Sequence, residues 1–188
     1  MNIKRIFDLI FSTSLIVLFI IPMIIIYIIV ALSSKGSAIY WSKRVGQNNK
    51  FFLMPKFRTM NLDAPDVASH LLTNPNLHIT KFGFFLRKSS LDELPQLWSI
   101  LTGNMSIIGY RPALHNQDDL IRLRNQYGIN KFKPGLTGWA QVKGRDNLSI
   151  KKKVELEKNY YHEYSLLKDF YIILLTVKKV FSSEDIKH

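Results

Sequence analysis

The sequence predicts a mainly α-helical protein with one small β-hairpin, built behind an N-terminal membrane helix. Three observations predict it: an uncharged, apolar run from Leu9 to Ser34, two apolar stretches flanking a polar turn between Ala38 and Met54, and helical apolar spacing that returns three times after residue 90. Composition bounds the rest. The chain has 188 residues, enough for one domain and an appendage, and its 47% apolar and 21% charged content excludes a disordered polyelectrolyte. Lys and Arg number 26 against 14 Asp and Glu, a net charge of +12 that favours anionic partners. With no cysteine, disulfides, thiolate metal sites and a cysteine nucleophile are excluded.

Leu15–Leu32 is almost wholly Ile, Leu, Val, Phe and Met, and the uncharged run is long enough for the ~20 residues that cross a hydrocarbon core. A secretory signal would carry an apolar region of only about 7–15 residues. Pro22 lies near the middle, where it removes a backbone hydrogen bond and favours a kink. Lys4 and Arg5 precede the run, and Lys35, Lys43 and Arg44 follow it. The positive-inside tendency draws both flanks to the cytoplasm, which a re-entrant helix bent at Pro22 satisfies and a straight crossing does not.

Residues 35–60 hold Lys35, Lys43, Arg44, Lys50, Lys56 and Arg58 with no acidic residue, a run suited to anionic lipid head groups, with Tyr40 and Trp41 as interfacial aromatics. The same segment reads as a hairpin, Ala38–Trp41 and Phe51–Met54 around Gly46–Asn49. Residues 61–80 read as a short helix between loops. Leu91, Leu94, Leu97, Trp98 and Leu101 form one apolar helical stripe. A further helix is expected from Ser149, its N-cap, to about Tyr164, and a last one over Leu166–Phe181. The uncharged part of the last helix, Phe170–Val177, is too short to span; it either lies amphipathically in the interface plane or packs as a buried helix.

The chemistry-bearing stretch is Arg87-Lys88-Ser89-Ser90-Leu91-Asp92-Glu93-Leu94-Pro95-Gln96. Ser90 and Glu93 have capping-box spacing, which makes the carboxylates a helix start. The alternative is chemical. At a helix start beside Arg87 and Lys88 a carboxylate stays ionised and nucleophilic, and two adjacent carboxylates allow one to attack phosphorus while the other binds a divalent cation. Arg111, fixed by Gly109-Tyr110-Arg111-Pro112, the Pro134–Arg145 loop with its three glycines and terminal Arg145, and Lys56 and Arg58 after the hairpin supply cations for an anionic substrate. Each alone reads as ordinary turn chemistry; together, beside a membrane, they suit a diphosphate whose reaction partner is a lipid. The five histidines show no paired metal-ligand spacing, and there is no Gly-x-Ser-x-Gly elbow, Walker loop or nucleic-acid-binding motif.

These runs resemble the small monotopic phosphoglycosyl transferases, the catalytic core of the bacterial sugar transferase family. The resemblance rests on Lys56–Met60, Leu86–Leu97, Gly103–Ser106, Arg111-Pro112, Pro134–Arg145 and Ser165–Asp169, in family order along the whole chain. It implies a re-entrant membrane helix over 1–34 and a compact cytoplasmic, membrane-associated catalytic domain over 35–188, with amphipathic interfacial helices on the cytoplasmic face of the bacterial inner membrane. It also implies the reaction. Asp92 attacks the β-phosphorus of a UDP-sugar and releases UMP, and polyprenyl (undecaprenyl) phosphate takes the phosphosugar from the aspartyl intermediate, starting glycoconjugate and polysaccharide assembly. Glu93 would hold Mg2+, with Arg87, Arg111 and Arg145 as phosphate contacts. Against the family pattern, Ile21 stands for the serine before the membrane proline, Tyr110 for a proline, Asn104 for an aspartate and Glu157 for an aspartate. The contrasting expectation is a non-enzymatic basic adaptor that binds anionic lipid or nucleic acid through its charge.

Overall fold

The structure, a computed structural model, describes residues 3–33, 36–65, 75–144 and 147–182. Helix α1 (Ile3–Ser33) runs unbroken through Pro22 and is long and apolar enough to cross a membrane. The hairpin follows. Strand β1 (Ile39–Val45) pairs antiparallel with β2 (Phe51–Phe57), Ile39 opposite Phe57 and Val45 opposite Phe51. Its turn closes where Gly46 N–H donates to the Lys50 carbonyl at 2.8 Å. Asn48 and Asn49 occupy the left-handed region (φ 54° and 59°), which asparagine tolerates better than most residues with a Cβ.

Short helices α2 (Pro75–His78) and α3 (Lys81–Lys88) lead to a 3-10 turn, Leu91–Gln96, that runs on into α4 (Leu97–Leu101). Strand β3 (Ser106–Ile108) and the two-residue β4 (Ala113–Leu114) precede α5 (Asp118–Gln126). Then come β5 (Gly135–Thr137), α6 (Trp139–Val142), α7 (Ile150–His162) and α8 (Leu166–Ser182). Ser149 caps α7 as expected, its hydroxyl accepting from Lys152 N–H. Within the expected 61–80 segment, residues 66–74 lie outside those described.

The sheets are more than the expected hairpin. Strand β4 joins the free edge of β1, giving the order β2-β1-β4, and β3 pairs parallel with β5. Gly109, Gly135 and Gly138 make that second pairing close. A Cβ on Gly135 would strike the Gly109 nitrogen, and one on Gly138 the Gly109 carbonyl oxygen. Gly135 and Gly138, two of the three glycines of the Pro134–Arg145 loop, therefore serve an approach between two stretches of this chain's own backbone.

Helix α1 leans on the rest along its length. Phe7, Phe11, Leu15 and Ile16 pack on a core that includes Leu97, Ile100, Met105 and Ile107, while Ile26 and Val30 pack with Ala38, Phe57 and Leu86. Polar contacts fix its start. Asp8 Oδ1 accepts from Ser106 Oγ and Ile107 N–H, both at 2.9 Å, and Arg5 donates to the carbonyls of Ile100 and Leu101 at the end of α4. Lys4 Nζ reaches Asp169 Oδ2 at 2.8 Å, and Tyr160 Oη donates to the other oxygen of the same carboxylate. Lys4 and Arg5, read from sequence as membrane flanks, are thus spent inside the protein. Helix α8 resolves its two readings: Asp169 and Ile172 face inward, while Leu167, Phe170, Tyr171, Leu174 and Val177 are exposed. It is amphipathic rather than buried. Trp98 is also exposed, so it leaves the stripe expected of Leu91–Leu101.

Candidate active site

Thr80 starts α3, its Oγ1 accepting from Gly83 N–H at 2.9 Å, and the helix ends at Ser89. Ser90 then takes φ 57°, in the left-handed region, at a cost of about 1–2 kcal/mol for a residue with a Cβ. The chain reverses there into Leu91–Gln96. Pro95 lies inside this 3-10 turn and has no N–H to donate to it.

This geometry overturns the capping box. Ser90 makes no side-chain cap bond, and Glu93 N–H instead donates to the Ser90 carbonyl at 3.2 Å. The Glu93 carboxylate turns to two cations from distant chain: Lys56 Nζ and Arg111 Nη2 both donate to its Oε1 at 2.9 Å. With three residues per turn, Asp92 projects roughly 120° away from Glu93. Both carboxylates are buried, at 8% and 9% exposure.

Lys56 arrives by strand alternation: it shares the hairpin face of Phe52, Met54, Ser42 and Arg44, opposite the exposed Trp41, Lys43, Phe51 and Leu53. Burial pulls its ammonium below the ordinary lysine value, helped by the Arg111 and Arg44 charges and opposed by Glu93 and Asp92. Arg111 arrives from the turn between β3 and β4. Arg44, read from the sequence as a membrane flank and not as a site residue, belongs to the same surroundings; its Nη1 donates to the Pro112 carbonyl at 3.2 Å and its charge reaches Lys56. Alternation along β1 was the signal that could have found it.

The other expected cations are placed differently. Arg87 Nε donates to Thr59 Oγ1 at 3.0 Å, and Arg58 Nε to the Ser37 carbonyl at 2.7 Å. Arg145 and Lys35 lie outside the described residues. Among those described, no three His, Cys, Asp or Glu side chains gather to hold a metal. Mg2+ takes as few as one carboxylate and completes its shell with water and substrate phosphate, so Glu93 or Asp92 singly could hold one.

The structure thus sets a long apolar helix and a buried acidic pair with cations fixed around it in one body, an arrangement consistent with a membrane-associated enzyme that handles anions. A family model described as bacterial sugar transferase matches residues 1–183, and the chain belongs to that family. It is 39% identical to the uncharacterized sugar transferase EpsL of Bacillus subtilis (strain 168), over all of this chain and 91% of EpsL. It is 40% identical to the UDP-glucose:undecaprenyl-phosphate glucose-1-phosphate transferase of Escherichia coli (strain K12), over 95% of this chain and 40% of that protein. It is 38% identical to the galactosyl transferase CpsE of Streptococcus agalactiae serotype III (strain NEM316), over 77% of this chain and 35% of that one. The chain thus spans nearly all of EpsL and about two fifths or less of the other two. Membership in a transferase family displaces the adaptor expectation.

Proposed function

We propose that this chain transfers a sugar phosphate from a UDP-sugar to undecaprenyl phosphate in two displacements through Asp92. The observation that carries the reading is a buried acidic pair among fixed cations: Lys56 and Arg111 grip Glu93, and the charge of Asp92 beside it also reaches Lys56. In the first displacement an Asp92 oxygen forms a bond to the β-phosphorus, the bond to the bridging oxygen breaks, and UMP leaves with the electron pair. In the second, an oxygen of the lipid phosphate attacks the same phosphorus and releases Asp92 as a carboxylate. Dividing the transfer lets a soluble nucleotide and a lipid occupy one site in turn.

Lys56 and Arg111 orient Glu93 and offset the charge gathered around the transferring phosphoryl group. Arg87, Arg58 and Arg145 are further phosphate contacts in this reading. Mg2+, held by Glu93, would neutralise the diphosphate and ease departure of UMP. The names of the Escherichia coli relative and of the undecaprenyl-phosphate glucose phosphotransferase of Komagataeibacter xylinus support the nucleotide and lipid assignments.

The membrane helix enters and leaves by the cytoplasmic face. Both halves of α1 pack on the same body, which supports re-entry, because a crossing helix would carry its far half away. The exposed apolar face of α8 and the exposed Trp98 supply interfacial area of the kind that marks a membrane contact. The chain has no cysteine, so single Ile3→Cys and Ser37→Cys variants report topology directly: both label from the cytoplasmic side, and opposite-side labelling means a crossing.

The chemical test uses purified protein in detergent with Mg2+, a UDP-sugar panel and no lipid acceptor. UMP release stops near one equivalent and mass spectrometry finds phosphosugar on Asp92; Asp92→Asn gives neither. Unchanged turnover by Asp92→Asn overturns the assignment.

A further inference from the structure

Arg111 is held through both of its chain neighbours. On one side Arg44 donates to the Pro112 carbonyl, and Ala113 and Leu114 pair with Val45 and Arg44 on β1. On the other, Tyr110 donates its N–H to Tyr161 Oη at 3.2 Å and lays its ring against Arg124, whose guanidinium carbon sits 4.5 Å from the ring centroid. Arg124, on α5, is locked in turn by Glu157 on α7: Nε to Oε2 at 2.8 Å and Nη2 to Oε1 at 2.6 Å. Arg124, Glu157 and Tyr110 are each 3% exposed, and the proposed reaction makes no direct use of them.

A buried ion pair is a poor device for stability alone, because desolvation consumes much of the Coulomb gain. Geometry explains this one better. Tyr110 packs in an apolar cluster with Val45, Ala113, Leu120, Ile129 and Val154, and a small cavity that Arg124 and Asn130 also line adjoins it, so the guanidinium is the charged group laid against the ring. The bidentate fork fixes the plane of the guanidinium, and the cation then fixes the ring it faces. We infer that Arg124, locked by Glu157, is a positioning residue for Arg111: by gripping Tyr110 it aims the next guanidinium in the chain at Glu93. This inference rests on the function proposed above.

The test replaces the pair together, Arg124→Met with Glu157→Leu, since removing one partner would strand a buried charge and threaten folding. Initial UMP release is measured with UDP-glucose and UDP-galactose, and UDP affinity by calorimetry. The double variant melts near the wild-type temperature yet releases UMP roughly tenfold more slowly and binds UDP more weakly. Tyr110→Phe, which keeps the ring, retains both; Tyr110→Leu, which keeps the ion pair, loses both and decides the matter if the double variant does not fold. In an Arg111→Ala background the pair replacement causes no further loss, as expected of residues acting through one group. Wild-type rates and affinity in the pair and Tyr110→Leu variants, or losses that multiply with that of Arg111→Ala, overturn the inference. A wild-type chain that binds UDP without releasing UMP from any sugar sinks the proposed function instead, and the affinity cycle still decides the positioning role.

Discussion

Lys56 and Arg111 meet at one oxygen of Glu93, although 54 residues of chain lie between the two cations. A hydrogen bond to a charged group is worth about 1.5–3 kcal/mol, so Lys56→Met should slow UMP release on the order of 10- to 100-fold with the circular dichroism spectrum unchanged. Lys56→Arg, which keeps a cation in place, should lose less. Asp8 gives a matching test of stability. Asp8→Ala strands the Ser106 hydroxyl and the Ile107 N–H in a buried setting, at about 1–3 kcal/mol for each orphaned group, and the denaturation midpoint should fall accordingly.

At the scale of elements, the site depends on how closely the backbone bearing β3 approaches that bearing β5. Tyr110 follows Gly109 directly, so any widening at Gly109 is passed to Arg111. Gly135→Ala and Gly138→Ala both drive a methyl into backbone that has no room to yield. Each should cost at least the ~1–3 kcal/mol of ordinary overpacking and should depress activity as well as the melting temperature. Gly128→Ala is the control. Its φ of 69° is strained for alanine, but no atom lies within 4 Å of the added carbon, so about 1 kcal/mol of stability is lost with activity retained.

Over the whole molecule, tyrosines held protonated by burial set an alkaline limit, Tyr110, Tyr160 and Tyr161 foremost. Burial pushes Tyr110 up to about 12; Tyr160, through burial and its hydrogen bond to Asp169, and Tyr161, through burial, are also raised. A folded pKa above the unfolded value of 10.0 means the native state holds its proton longer. That contribution is complete below pH 10 and is lost as pH climbs through the folded values. Lys56 acts with the opposite sign: its lowered pKa makes stability rise as pH approaches the ordinary lysine value of 10.5. Melting temperatures should therefore hold or rise slightly up to about pH 10 and fall steeply above it, with tyrosinate absorbance appearing together with unfolding.

The long apolar helix, the hairpin, the capped α7 and the span of α8 were legible along the chain because each is written in local periodicity, turn residues or an uninterrupted apolar run, whereas the exposed face of α8 needed the structure. The blocks around Asp92 and Pro134 carried the family for the same reason, being contiguous. What only the tertiary structure decided is which partner each charge takes. Glu93 goes to Lys56 and Arg111 rather than back to Ser90, Lys4 and Arg5 tie α1 to the protein instead of facing lipid, and Arg124 joins Tyr110 to Glu157. The physical reason is the reach of the forces. Backbone preference and amphipathic spacing act within a few residues, while an ion pair forms between whatever groups folding brings within about 3 Å, and the distance along the chain leaves no mark on it.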